Sequence, residues 1–188
     1  MKVAITGGIG AGKSYVCQRL RARGIAVYDC DTAAKRLMVE SRTIREGLVS
    51  LVGPDVYCHG QLRKDVLTEF LLRSESNKKA VNDVVHPAVA ADFMASGCDW
   101  LESAILFDSA FDKRVAFDYV ICVTAPETLR VERVMARDHV GSDRALEWIH
   151  RQMPQQRMVE LSHYVIVNDG VQDIDTQINQ INNSINRL

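Results

Sequence analysis

Gly7-Gly8-Ile9-Gly10-Ala11-Gly12-Lys13-Ser14 is the stretch that decides the fold. It fits G-x-x-x-x-G-K-[ST] at every fixed position. Before it, Val3 to Ile5 is a short apolar run closed by Thr6, which reads as a buried strand. After it, Val16, Cys17 and Leu20 share one helical face, and Gly24 stops the pattern. A strand, a glycine-rich loop and a helix in that order aim backbone N–H groups and a positive helix end at phosphate oxygens. In that frame Gly8, Ile9, Gly10, Ala11 and Gly12 line the phosphates. Lys13 reaches the β and γ positions, and Ser14 offers its hydroxyl to Mg²⁺.

Outward from the loop, Ile25 to Tyr28 reads as a second buried strand, so the chain opens strand, helix, strand, the pattern of a parallel sheet with crossover helices. Positions 32–96 are different. Leu37, Ile44, Leu48, Val52, Leu62, Val66, Leu67, Phe70 and Leu71 recur at helical spacing, punctuated by Gly53-Pro54 and His59-Gly60, and a helix is expected to end at His86 before Pro87. An insertion this long exceeds the ordinary connection of about four to six residues and implies a task of its own. Strands return at Trp100 to Ala104, Tyr119 to Val123 and Tyr164 to Val167, with helices over 127–137 and 143–152 between them. In the tail, Ile174, Ile178, Ile181 and Ile185 form an apolar stripe suited to packing on the sheet. The expectation is an α/β P-loop NTPase fold with a five-stranded parallel sheet. Its core comprises 1–31, 97–137 and 157–188, with a helical insertion over 32–96 and a lid over 138–156.

The chain has 188 residues, 47% apolar and 25% charged, with a formal net charge of -1. No global basic field exists to argue for nucleic acid or an anionic membrane, so an anionic substrate must meet local cations. The five cysteines, Cys17, Cys30, Cys58, Cys98 and Cys122, show no C-x-x-C spacing, which argues against a zinc ribbon or disulfide framework. The apolar start is too short for a signal-peptide core, and no run is long enough to span a bilayer. A cytosolic protein is the expectation. Composition says nothing about oligomeric state.

Several other residues carry candidate chemistry. Asp29-Cys30-Asp31 follows the second strand at the edge where open parallel sheets bind ligands. One carboxylate could take a proton from an acceptor hydroxyl and the other hold a metal-bound water, or either could cap the next helix. Arg130, Arg133 and Arg137 share one helix face, followed by Arg144, Arg151 and Arg157, where a kinase lid would sit. Glu102 and Asp108 are either carboxylates behind Mg²⁺ or rim residues. The histidines show no metal spacing. A guanine-nucleotide switch is disfavoured: Asn77-Lys78-Lys79-Ala80 lacks the Asp of N-K-x-D, and Asp138-His139-Val140-Gly141 follows a helix too late in the chain.

Taken in order, these segments resemble the dephospho-coenzyme A kinase family. Ile5 to Ser14 is similar to its T-G-G-I-G-S-G-K-S, Asp29-Cys30-Asp31 to its D-A-D, and Gly60-Gln61-Leu62-Arg63 to its G-x-L-x-R. His86-Pro87 stands at its H-P pair, Ala104 to Asp108 at its P-L-L-F-E, and Arg133 through Arg137-Asp138 at its R-x-x-x-R-D. Gln152 and Asn168-Asp169-Gly170 follow in matching order. The resemblance implies an ATP-dependent kinase that uses Mg²⁺ and phosphorylates the ribose 3′-hydroxyl of dephospho-coenzyme A. It further implies ATP contacts from Gly8 through Tyr15 and at Arg137, Asp31 as base with Lys13 and Arg137 serving catalysis, and acceptor contacts at Asp29, Asp31, Arg63, His86, Pro87, Leu106 and Phe107. Magnesium would be held by Ser14 with Asp29 or Glu102 through water. The chain departs from the pattern at Ala104 for Pro, Asp108 for Glu, Tyr15 for Thr and Cys30 for Ala. Another small-metabolite kinase, such as a nucleoside monophosphate kinase, and a nucleotide-dependent binding module are the alternatives.

Overall fold

The structure, a computed structural model, describes residues 1–185. In chain order its elements are β1 (Val3–Thr6), α1 (Lys13–Arg21), β2 (Val27–Asp29), α2 (Cys30–Glu40), α3 (Arg42–Val52), β3 (Tyr57–Cys58), β4 (Gln61–Leu62), α4 (Lys64–Arg73) and α5 (Glu75–Ala95). There follow β5 (Trp100–Glu102), β6 (Tyr119–Thr124), α6 (Glu127–Asp138), α7 (Ser142–His150), α8 (Gln155–Glu160), β7 (Tyr164–Val167) and α9 (Ile174–Ile185).

Among the described residues the main sheet has five strands in the order β2-β5-β1-β6-β7. It is the expected parallel sheet: Ala4 of β1 lies opposite Leu101 of β5 and Val120 of β6, and β7 runs parallel to β6. β1 is central and buried along its length, which is why it reads as an uninterrupted apolar run rather than an alternating one. Parallel strands bring their C-terminal ends to one edge, and the 7–14 loop, Glu102 and Asn168 all follow or close strands there. Val3, Ile5, Val16, Leu20, Ile121 and Ile166 form the core with Ile174, Ile178, Ile181 and Ile185 of α9, so the tail's stripe packs on the sheet as its spacing predicts.

The chain forms two compact units, one of Met1–Tyr28 with the chain from Cys98 onward, the other of Asp29–Gly97. In the second unit α5 packs against α2, α3 and α4, burying Val81, Val85, Val89 and Phe93. Gly47 makes the α3–α5 contact possible, because a Cβ there would come within 2.8 Å of Val84 Cγ1.

Two expectations fail in this unit. His59-Gly60, read as a plain break, closes a two-residue β-hairpin in which Tyr57 pairs with Leu62. Both turn residues have positive φ, 47° and 81°, as the tightest hairpin turns require. Strands of two residues are too short to show alternation in sequence. Pro87 does not end a helix either, since α5 continues through it to Ala95. A proline inside a helix forfeits one backbone hydrogen bond and costs roughly 3 kcal/mol. Here the buried face continues past the proline at Val89, Ala90 and Phe93, and that packing outweighs the local penalty.

Pro87 is exposed, so Pro87→Ala restores a backbone donor without disturbing the core. After allowing for the unfolded-chain entropy that proline removes, the substitution is expected to stabilise the protein by about 1–2 kcal/mol. Urea unfolding measures this, and a lower midpoint for the alanine variant would contradict it.

Candidate active site

A loop wound so that its N–H groups face inward turns its carbonyls outward, and those carbonyls need donors. In this protein side chains supply them. Lys13 Nζ donates to Gly7 O at 2.9 Å and to Gly8 O at 3.3 Å. Arg130 Nε donates to Ile9 O at 2.9 Å. Arg133 Nη1 spans Gly10 O and Ala11 O at 3.3 and 3.4 Å, and Asn168 Nδ2 adds a bond to Ala11 O at 2.9 Å. Arg133 in turn donates to Asn168 O at 3.1 Å, joining α6 to the end of β7. Gly10 is required on two counts: its φ is 77°, and a Cβ there would stand 2.6 Å from the Arg130 carbonyl oxygen.

The loop ends in α1, whose N-cap Gly12 adopts a left-handed conformation; among the described residues no side chain caps this helix and no acid lies in its first turn. That leaves a positive end suited to an anion. Lys13 is 9% exposed. Burial pulls its ammonium below the usual lysine value, Glu102 opposes that shift, and Arg130 and Arg137 reinforce it. Ser14 Oγ, at the start of α1, donates to Glu102 Oε1 at 3.4 Å. Burial also pushes the Cys17 thiol well above the usual range, and the neighbouring Glu102 carboxylate adds to the effect by its charge and a hydrogen bond. Gln152, from the connection between α7 and α8, accepts the Ile9 N–H at 2.6 Å. Beside the loop, Gly12, Tyr15, Arg133 and Asn168 line a cleft of about 570 Å³ that extends along Gly170 to Asp175.

A sequence model of the dephospho-CoA kinase family matches residues 1–173. A Bacteroides fragilis dephospho-CoA kinase is 37% identical over 185 residues, covering 95% of this chain and 89% of that protein. One from Porphyromonas gingivalis is 40% identical over 170 residues, covering 85% and 80%. This chain belongs to the dephospho-CoA kinase family. A crystal structure of TT1252 from Thermus thermophilus superposes with a TM-score of 0.83 at 28% identity, covering 98% of this chain and 96% of that one. Dephospho-CoA kinase from Campylobacter jejuni (TM-score 0.66, 18% identity, covering 98% of each chain) shares the fold. So does the shikimate kinase of Acinetobacter baumannii (TM-score 0.57, 16% identity, covering 98% of this chain and 91% of that one).

The remaining positions of the dephospho-CoA kinase pattern fall as follows. In the first unit Tyr15 is exposed and its hydroxyl accepts from Arg19 Nη2 at 2.6 Å. Arg137 is exposed on α6 and grips the Asp138 carboxylate through Nε and Nη2 at 3.0 and 2.7 Å. Leu106 is fully buried and serves the core, Phe107 is half-buried, and Asp108 accepts the Met153 N–H at 3.0 Å. Burial raises the Asp108 carboxyl above its usual value. In the second unit Asp29 is the N-cap of α2, accepting the Thr32 N–H at 3.0 Å, and Asp31 is exposed and ion-paired with Lys35. Arg63 pairs with Asp65 at 2.6 Å, while His86 and Pro87 lie within α5. Arg130 and Arg133, read from sequence as a lid face, hold the loop's carbonyls. Asn168 and Gln152 drew notice only by their order in the family pattern. An Asn directly after a strand at the ligand edge was the available signal for the first, and Gln152 had none.

Arg130 is 5% exposed, and its replacement leaves the partly buried Ile9 carbonyl without its side-chain donor. Arg130→Met is expected to weaken ATP binding at least tenfold and to lower stability by about 2 kcal/mol. Lysine, a point charge without the fork, should recover only part of this. Nucleotide titration and urea unfolding check both effects, and wild-type affinity in the methionine variant would show that the loop holds its shape without this contact.

Proposed function

We propose that this chain phosphorylates dephospho-CoA, moving the γ-phosphoryl group of ATP to the ribose 3′-hydroxyl and releasing CoA and ADP. The observation that carries the reading is the phosphate loop itself, in which each carbonyl from Gly7 to Ala11 accepts from a Lys, Arg or Asn side chain, in a chain of this family. Phosphoryl transfer needs positioning and charge neutralisation more than covalent chemistry from the protein. Lys13 supplies the buried cation. Arg137 lies near enough to lower Lys13 further, and a triphosphate would draw it away from Asp138 as a second cation. The cleft beside Gly12, Tyr15 and Arg133 suits the nucleoside, with the flat Arg133 guanidinium as a surface for a base.

Ser14 and Glu102 are hard oxygen donors 3.4 Å apart, the type of ligand that Mg²⁺ takes. Among the described residues no group of three or more acidic, His or Cys side chains is placed to hold a metal ion. When bound, Mg²⁺ would neutralise charge on the β and γ phosphates. The Ser14 contact supports Glu102 over Asp29, whose carboxylate is engaged as a helix cap.

Asp31 is the proposed base for the acceptor hydroxyl, with Arg63, His86 and Pro87 on the acceptor side and positions 138–156 as the lid over ATP. Residues 32–96 form the proposed acceptor domain. The core ranges 1–31, 97–137 and 157–188 are proposed likewise, positions 186–188 lying outside the described residues. Among the described residues no helix is long and apolar enough to cross a membrane. A cytosolic location and a set of partners limited to ATP and dephospho-CoA, without nucleic acid or membrane, belong to the same proposal.

ADP release from ATP and Mg²⁺ should rise strongly with dephospho-CoA and not with nucleoside monophosphates. Stimulation by a monophosphate would move the acceptor, and no stimulation by any acceptor would favour a binding module. Asp31→Asn is expected to lower kcat by roughly 10²- to 10⁴-fold with ATP affinity unchanged. Near-normal turnover in that variant would remove Asp31 as the base.

A further inference from the structure

Gln152 is the side chain whose contact the reaction scheme above leaves unused. Its amide oxygen accepts the Ile9 N–H at 2.6 Å. Ile9 lies within the 7–14 loop, and its carbonyl accepts from Arg130. Its N–H is one of the backbone donors of that glycine-rich loop, the kind of group that phosphate oxygens seek. One N–H hydrogen cannot serve both acceptors at full strength. A phosphate oxygen carries charge, and charge-assisted hydrogen bonds are roughly twice as strong as neutral ones.

The backbone around Gln152 is tied at neighbouring points. Met153 N–H donates to Asp108 Oδ1 at 3.0 Å, and Gln155 Oε1 accepts the Ala125 N–H at 3.2 Å. Among the described residues the Gln152–Ile9 bond is thus one of three such ties at or beside the α7–α8 connection, and of the three it alone ends on the phosphate loop. We propose that Gln152 is a positioning residue that competes with phosphate for the Ile9 amide, so that a triphosphate displaces it and loosens the α7–α8 connection. The device lets the loop signal phosphate arrival to the segment following α7 without any contact between nucleotide and helix. It rests on the reading of the loop as a triphosphate site and not on the identity of the acceptor.

Two variants give opposite signs. Gln152→Met keeps the length and removes the strong acceptor, so inorganic tripolyphosphate and ATP should each bind about three- to tenfold more tightly. Gln152→Glu strengthens the competitor and adds repulsion, so both should bind at least tenfold more weakly. Isothermal titration of the whole chain reads these constants. A purely structural role would make both variants weaker, which overturns the proposal, as does unchanged affinity in the methionine variant. Hydrogen exchange on the wild type needs no substitution: the Met153 amide should exchange faster with tripolyphosphate bound, and equal or greater protection overturns the idea. Wild-type protein that binds neither tripolyphosphate nor ATP overturns the nucleotide reading as well, whereas a failed acceptor assay touches only the acceptor.

Discussion

The outward carbonyls of the 7–14 loop are the constraint on which the rest of the site depends. A glycine-rich loop outside helix and sheet cannot satisfy all its own carbonyls through regular structure. The protein meets the need with charged and amide donors from three places: Lys13 at the head of α1, Arg130 and Arg133 on α6, and Asn168 after β7. Two of these places follow the strands β6 and β7, which is why the loop is only as well shaped as the sheet behind it. Glycine is the other half of the solution, because α6 comes so close at Gly10 that its own backbone occupies the space of a Cβ.

The loop, the parallel sheet and the α9 stripe were legible in the sequence because each rests on local pattern: fixed glycine spacing, continuous apolar runs, and isoleucines at helical intervals. What was not legible depends on partners far along the chain. Arg130 and Arg133 share a face by spacing alone, but whether that face meets phosphate or carbonyl is set by how β6 delivers α6 onto the loop. Gln152 is an ordinary polar residue in a connection, and no periodicity marks it. The β3–β4 hairpin went unread for the opposite reason, being so short that only the two positive-φ residues His59 and Gly60 define it. For Asp29 the sequence left capping and chemistry open, and its side chain does cap α2.

Pro87 shows where a local rule yields to packing. A helix-breaking residue stands inside a 21-residue helix, and the helix survives because residues on both sides of it are buried against α2, α3 and α4. A penalty of this size at an exposed position can persist because proteins are held above a stability threshold rather than at an optimum.

The same logic governs the charges. Lys13, Arg130, Arg133 and Arg137 gather around one loop, while Glu102 is the acidic group felt most strongly by Lys13. Burial lowers both Lys13 and Arg130, so the folded protein bears a cost for holding these cations where water cannot solvate them. The carbonyls of Gly7 and Gly8 recover part of that cost for Lys13, and Ile9 O does so for Arg130. Neutral carbonyls cannot balance a net positive charge, whereas a triphosphate can. Glu102 offsets part of that charge and a triphosphate would offset more, so nucleotide is expected to stabilise the folded chain by mass action. Charge held in place before the anion arrives need not be gathered during phosphoryl transfer, and such preorganisation is a general source of rate in this chemistry.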